Sequence, residues 1–304
     1  MTSHKRMAAL RYACAAMLAL TIGFSQQGAP SPAAEKKVLN TVKQKLADGK
    51  QVFSHTISRA DPEAYCLEAP HYDFTLFEMQ HSTLSFADVE KMIGACPHAG
   101  AMPFVRVPDA FESTIQKATD IGAIGLIVPT VDDAAEAQEA ARWARFPPVA
   151  RRSSGGGQHS RIWAGADRKT INDNMMIIVM IETVEGVNNA YEIAKTPGID
   201  VVITGNNDLS AFSGFQQSDP RYQALLEKVR DATLKAGKIF GTASNAYASG
   251  NPVSKDARLF QNGPSNDGWV RPGGAGRGGR GGRGRGAAAD PAAAGQPATP
   301  APKP

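Results

Sequence analysis

The sequence predicts an α/β fold, a (β/α)8 TIM barrel with a poorly formed eighth unit, and three observations predict it. Apolar runs of strand character alternate strictly with helix-period segments, the pattern of a parallel sheet covered by helices. Seven such units and a weak eighth fill residues 36–270, about 235 positions, the size of one barrel. A doubly wound open sheet is the competing arrangement, but no glycine-rich phosphate loop follows the first strand.

The units can be read in order. "VFSHTIS" (52–58) is the first strand, and Asp61-Pro62 then supplies an N-cap and a proline at the first helical position. "DFTLFEM" (73–79) leads to "SFADVEKMIGAC", capped by Ser85, and "MPFVRV" (102–107) leads to "ESTIQKATDIG". "GLIVPT" (125–130) precedes "DDAAEAQEAARWA". A polar insert at 150–174 follows; its glycines and Ser153-Ser154 suit a mobile loop at an active-site rim, with His159 read as solvated rather than a ligand. "MMIIVMIE" (175–182) leads to "GVNNAYEIAK", and "DVVITG" (200–205) to a helical segment ending near Gly237. "KIFGTA" (238–243) precedes "SKDARLFQNG", read as helical, and "DGWV" (267–270) is the weak eighth strand.

Both ends differ from this middle. Residues 1–30 carry a basic start (Lys5, Arg6, Arg11), the apolar run "YACAAMLALTIGF" and then small and polar residues, the form of a secretory signal peptide. That run of 13 residues falls short of the roughly 20 needed to span a bilayer, so cleavage and export to a periplasmic or extracellular location are expected, with no membrane span left behind. Cys14 lies inside the run, which argues against a lipoprotein site. From Arg271 to Pro304 no aliphatic side chain is larger than Ala, so this arginine-glycine and then alanine-proline tail is expected to be disordered. Its six cations against Asp290, together with the basic leader, account for the chain's net charge of +4 and leave the middle acidic. In an exported chain such a tail suits a surface polyanion or solubility, and nucleic-acid binding is not expected. Cys66 and Cys96 are either one disulfide or two buried thiols, and their spacing fits no zinc pattern.

In a parallel barrel the chemistry sits at the C-terminal strand ends. Glu78, His81, Arg106, Glu182 and Asp208 all fall there and should converge on one rim. Glu182 and Asp208 close two apolar runs, and a buried carboxylate is costly unless paired or bound to a metal. Two such acids form a minimal oxygen site for a hard divalent cation, with other positions left to water or substrate. By alternation Glu182 shares a face with Ile178 and Met180. The plainer reading makes Glu182 a cap of the next helix and Asp208 a cap of "LSAFSG".

The stretch "MIETVEGVNNAYEIAKTPGIDVVITGNNDLSAFSG" resembles the metal-binding signature of the HpcH/HpaI class II aldolases, the 2-oxo-acid (pyruvate) aldolases. The similarity continues through "YDFTLFEMQHSTLSFADVEKMI", "PFVRVP", "IGAIGLIVPTVDDAAEAQEAARWARFPP" and "RRSSGG", over about residues 40–245. The resemblance implies a TIM barrel with Mg2+, Mn2+ or Co2+ held by Glu182 and Asp208 against the keto and carboxylate oxygens of pyruvate, as a Lewis acid that stabilises an enolate. It implies that Arg106 stabilises that enolate, and that His81, with a water, is the general base on the aldol hydroxyl, oriented by Glu78. It places Asn207 in the loop whose backbone N–H groups hold the substrate carboxylate, and Met180 beside the substrate. It further implies a homo-oligomer, trimer or hexamer.

The departures bear on the chemistry. Where the family reads Asp-x-Glu-His, this chain has Glu78-Met79-Gln80-His81, one methylene longer at the first acid and neutral at the second. Met180 stands where the family has Gln, and "GNNDLS" replaces "GPNDLS". The chain runs from "NGPSNDGWV" into the tail without the last helix that family members pack on a neighbouring subunit. The expected function is a metal-dependent carbon–carbon lyase cleaving a 4-hydroxy-2-oxo acid reversibly to pyruvate, or a similar 2-oxo acid, and an aldehyde. The alternative, favoured by Gln80 and Met180, is an exported non-catalytic protein that keeps the metal and 2-oxo-acid pocket. A citrate-lyase-like acyl-CoA-cleaving relative fits the motif spacing less well.

Overall fold

The computed structural model describes residues 37–242 and 252–272. The leader at 1–30 and the tail beyond residue 272 lie outside the described residues. Helix α1 (Thr41–Ala47), capped by Asn40, precedes strand β1 (Val52–Ile57), and then strands and helices alternate. The strands are β2 (Phe74–Glu78), β3 (Met102–Arg106), β4 (Gly125–Val128), β5 (Met176–Ile181), β6 (Val201–Thr204), β7 (Ile239–Thr242) and β8 (Leu259–Phe260). They form a closed barrel in sequence order, every pair parallel, with β8 shut against β1 through Val52–Leu259 and Phe53–Phe260.

β2 and β5 are buried at every position, because one face fills the barrel and the other meets the helices, so both read as unbroken apolar runs. Which face points inward follows from one contact. Arg106 on β3 reaches Met180 on β5 across the intervening β4, so the face holding Arg106, Phe104 and Met102 lines the interior, as does the face holding Met180 and Ile178. Gly125 makes room there: a Cβ on it would lie 2.4 Å from the Phe104 ring.

Several helices start where a short polar residue caps them. Asp61 caps α2 (Pro62–Glu68), Ser85 caps α3 (Phe86–Ala95) in a reciprocal box with Asp88, and Asp133 caps α5 (Ala134–Arg142). Each such cap is worth about 1 kcal/mol. Helix α4 (Glu112–Asp120) lies between these last two. Cys66 on α2 and Cys96 at the end of α3 are disulfide-bonded, their Cα atoms 5.6 Å apart, which settles the alternative left open by spacing.

The insert at 150–174 departs from its expected place. It holds two short helices, α6 (His159–Ile162) and α7 (Arg168–Asn174), and lies at the N-terminal end of the barrel, opposite the strand ends that carry the acids. The reason is topological: the segment follows α5 and returns the chain to the start of β5. Arg152 pairs with Asp120 at the end of α4 at 2.8 Å, and Gln158 donates to the backbone carbonyls of Glu90 and Ile121. His159 is half-buried beside Phe146 rather than solvated, and burial together with the Arg152 charge holds its imidazole below its usual range.

The eighth strand is also displaced. Among the described residues a 3-10 turn at Pro252–Lys255 precedes β8, and "LF" inside the segment read as helical closes the barrel. Two apolar residues are too few to show a period, and the gap between β7 and β1 imposes the strand. "DGWV" instead lies against the 3-10 turn Ala69–His71 that follows α2: Trp269 stacks on His71 with ring centroids 4.4 Å apart, and Asp267 pairs with the same His71 at 2.7 Å.

Candidate active site

Glu182 follows the last residue of β5 and is 2% exposed. Its Oε1 accepts the Thr130 backbone N–H at 3.0 Å and the Thr130 hydroxyl at 3.3 Å, from the loop after β4. Its Oε2 lies over Gly205, where a Cβ would stand only 2.1 Å away. Asp208 belongs to the first turn of α10 (Asn206–Ser213), which follows α9 (Ala190–Lys195) and β6, and its carboxylate lies within hydrogen-bonding reach of Glu182. Burial pushes the Glu182 carboxyl up to about 7; the Thr130 N–H opposes the rise and the neighbouring Asp208 adds to it.

Neither acid is a helix cap. Thr183 caps α8 (Val184–Asn188) by accepting the Gly186 N–H, and Gly205 is the N-cap position of α10. Among the described residues no lysine or arginine forms an ion pair with Glu182 or Asp208. No group of three or more His, Cys, Asp or Glu that could hold a metal occurs among the described residues either. Two like-charged oxygen donors, one cradled against a glycine, suit a hard cation that takes its other ligands from water or substrate.

The second cluster is two residues back along the inner face. Glu78, at the end of β2, is 4% exposed and ion-pairs with Arg106 at the end of β3, a charge contact rather than an aligned hydrogen bond. Arg106 also points Nη1 at the Met180 sulfur, 3.9 Å away, and its Nε is buried with no partner among the described residues. Glu78 does not orient His81 as expected. Its Oε1 accepts the backbone N–H groups of Gln80 and His81, at 2.9 and 3.0 Å, because the loop folds its amides back over the strand end. The His81 side chain is exposed. Asn207 is exposed too, its side-chain carbonyl accepting from Gln217 at 3.2 Å.

Glu78, Arg106 and Met180 thus meet in one contact set, and Glu182 and Asp208 in another. Sequence reasoning missed Thr130 and Gly205. The signal for Thr130 was present as a polar residue closing "GLIVPT"; Gly205 gave none beyond its place before the acid.

A profile of the HpcH/HpaI aldolase/citrate lyase family matches residues 64–262. A 4-hydroxy-4-methyl-2-oxoglutarate aldolase of Hapsidospora irregularis is 35% identical over 184 residues, 57% of this chain and 67% of the relative. A hydroxypyruvate/pyruvate aldolase of Roseobacter denitrificans is 31% identical over 214 residues, 67% of this chain and 82% of the relative. Among solved structures, a family protein from Burkholderia cenocepacia superposes with a TM-score of 0.68 at 27% identity, covering 73% of this chain and 92% of that one. The barrel, the family profile and relatives named as aldolases agree, and the chain belongs to the HpcH/HpaI aldolase/citrate lyase family as a carbon–carbon lyase.

Proposed function

We propose that this lyase cleaves a 4-hydroxy-2-oxo acid reversibly to pyruvate, or a similar 2-oxo acid, and an aldehyde, with Mg2+, Mn2+ or Co2+ held by Glu182 and Asp208. The observation that carries the reading is the pair of adjoining carboxylates at the barrel's C-terminal rim, one almost wholly buried and neither paired with a cationic side chain among the described residues. A divalent ion bound there supplies Lewis acidity toward the 2-oxo-acid carbonyl. The names of the Hapsidospora and Roseobacter relatives, both aldolases of 2-oxo acids, support that substrate class.

The chain's own residues divide the remaining work. Arg106, with its Nε unspent, faces the oxygen on which negative charge develops as the C3–C4 bond breaks. Glu78 holds that guanidinium and the loop amides of Gln80 and His81 in one arrangement. The exposed His81 imidazole takes the C4 hydroxyl proton, directly or through water, as the aldehyde carbonyl forms. Met180 presents a thioether, a weak acceptor, so that wall of the site favours an apolar substituent.

The leader-like start and the Cys66–Cys96 disulfide together support an exported enzyme, since disulfides persist in oxidising compartments. The test incubates the purified protein with each metal, pyruvate and a panel of aldehydes, and follows the aldol product. Product with at least one metal is expected. Metal-dependent pyruvate binding without product under any condition would replace the lyase reading with a binding protein.

A further inference from the structure

The loop after β4 contains a feature that the acid pair alone does not explain. Thr130 has φ +48°, the one positive φ at a non-glycine position among the described residues. For a β-branched side chain that left-handed conformation is a strained outlier. Such strain persists only where surrounding contacts over-determine it, and here they do. The next residue, Val131, donates its N–H to Met180 O at 3.0 Å. The Asp132 carboxylate accepts the Thr183 hydroxyl, and Asn189 Nδ2 donates to Asp132 O at 2.8 Å. Gly186 leaves room for the loop, since a Cβ on it would meet Val131 O at 2.9 Å. The β4 loop is therefore clamped to the loop after β5, and the clamp turns the Thr130 amide inward.

Both donors of Thr130, its N–H and its hydroxyl, converge on one atom, Glu182 Oε1. The other oxygen is left over Gly205, on the side of Asp208. We propose that Thr130 is a positioning residue of the site: its strained backbone and its hydroxyl fix Oε1, so that Oε2 is the oxygen Glu182 offers, with Asp208, to a divalent cation. The proposal rests on the reading of Glu182 and Asp208 as a cation site, and adds a residue that touches neither the cation nor the substrate.

The test measures Mn2+ dissociation constants by electron paramagnetic resonance on the full chain, with thermal unfolding of each variant as a check on folding. Thr130→Val keeps the branched shape and the amide but loses the hydroxyl; the hydrogen bond removed is to a charged group and is long, so about a tenfold weaker affinity is expected. Thr130→Ser restores the hydroxyl and should bind within about twofold of the parent, a rescue that a purely steric role would not produce. Asp132→Ala, which loosens the clamp without touching Glu182, should weaken Mn2+ binding in the same direction. Parental affinity in both Thr130→Val and Asp132→Ala, with affinity lost in a Glu182→Gln control, would overturn the positioning role and leave the cation site standing. Parental affinity in Glu182→Gln would overturn the cation site itself, and the role of Thr130 with it.

Discussion

Gly205→Ala puts one carbon where the Glu182 carboxylate now sits. The added Cβ would lie 2.1 Å from Oε2, 2.6 Å from Cδ and 2.7 Å from Cγ, against 3.4 Å or more for ordinary contact. The carboxylate must therefore retreat by more than an ångström, or the end of β6 must move, carrying Asp208 with it. Neither path is free, because Oε1 is held by two Thr130 donors and Leu209 N–H closes the first turn of α10 onto Gly205 O at 2.9 Å. Overpacking of this kind costs about 1–3 kcal/mol, and loosening a hydrogen bond to a charged group adds about 1.5 kcal/mol or more. A total of about 3 kcal/mol lowers Tm by roughly 6–12 °C for a domain of this size. Mn2+ affinity should fall about a hundredfold, since the geometry of both donors changes together. Gly214→Ala is the control: at φ +71° an alanine strains the backbone, but nothing lies within 4 Å of its Cβ, so stability should fall slightly and metal affinity should not. Titration calorimetry showing parental Mn2+ affinity in Gly205→Ala would refute the claim that this glycine shapes the acid pair.

Three further outcomes follow from the same geometry. The Glu182 carboxyl is raised from its usual 4.5 to about 7, so the folded, metal-free protein holds that proton after the unfolded chain has lost it. Stability of chelator-treated protein should therefore fall between pH 4.5 and 7 by on the order of 3 kcal/mol, and added Mn2+ should flatten the slope; a Tm that is level or rises over that window contradicts the assignment. Cys66 and Cys96 are 30 residues apart, a loop whose closure is worth about 3.5 kcal/mol, so Cys66→Ser with Cys96→Ser should lower the midpoint of urea unfolding, and an unchanged midpoint argues that the bond contributes nothing. His81→Ala should lose aldol turnover while pyruvate binding, measured by calorimetry, stays intact; undiminished turnover removes the imidazole from the mechanism.

The barrel was legible because seven strands are long enough to show their apolar runs, and four of them lead into helices that open on Asp, Ser or Thr caps. The eighth was not, since Leu259 and Phe260 are a strand only because β7 and β1 leave a gap of that shape. The rim residues were legible as types at strand ends, but their contacts were not. Glu78 was expected to serve the His81 ring and instead holds the His81 amide and Arg106, a choice made by the fold of one loop. The insert was placed at the wrong end because its composition suits a mobile rim loop, whereas its position after α5 puts it at the starts of the strands. Thr130 escaped notice because a positive φ leaves no mark in the sequence when the residue is not glycine.

The two buried acids of the rim are treated in opposite ways, and the difference indicates which of them awaits a ligand. Glu78 is closed: a guanidinium neutralises it and two amides take its other oxygen, so its charge is compensated before any substrate arrives. Glu182 has amide and hydroxyl donors on one oxygen only, a second carboxylate beside it and no cationic side chain among the described residues. A buried charge left in that state is costly. In the metal-free protein the cost is met by a proton, which is what a carboxyl raised to about 7 means. A dication replaces that proton and compensates both acids at once, so metal binding should release about one proton near pH 6 and progressively fewer above pH 7. Calorimetric titrations of Mn2+ in buffers of differing ionisation enthalpy measure that number directly. A proton release of zero at pH 6, with Mn2+ bound, would show that Glu182 is already ionised without metal and would remove the proton from this account.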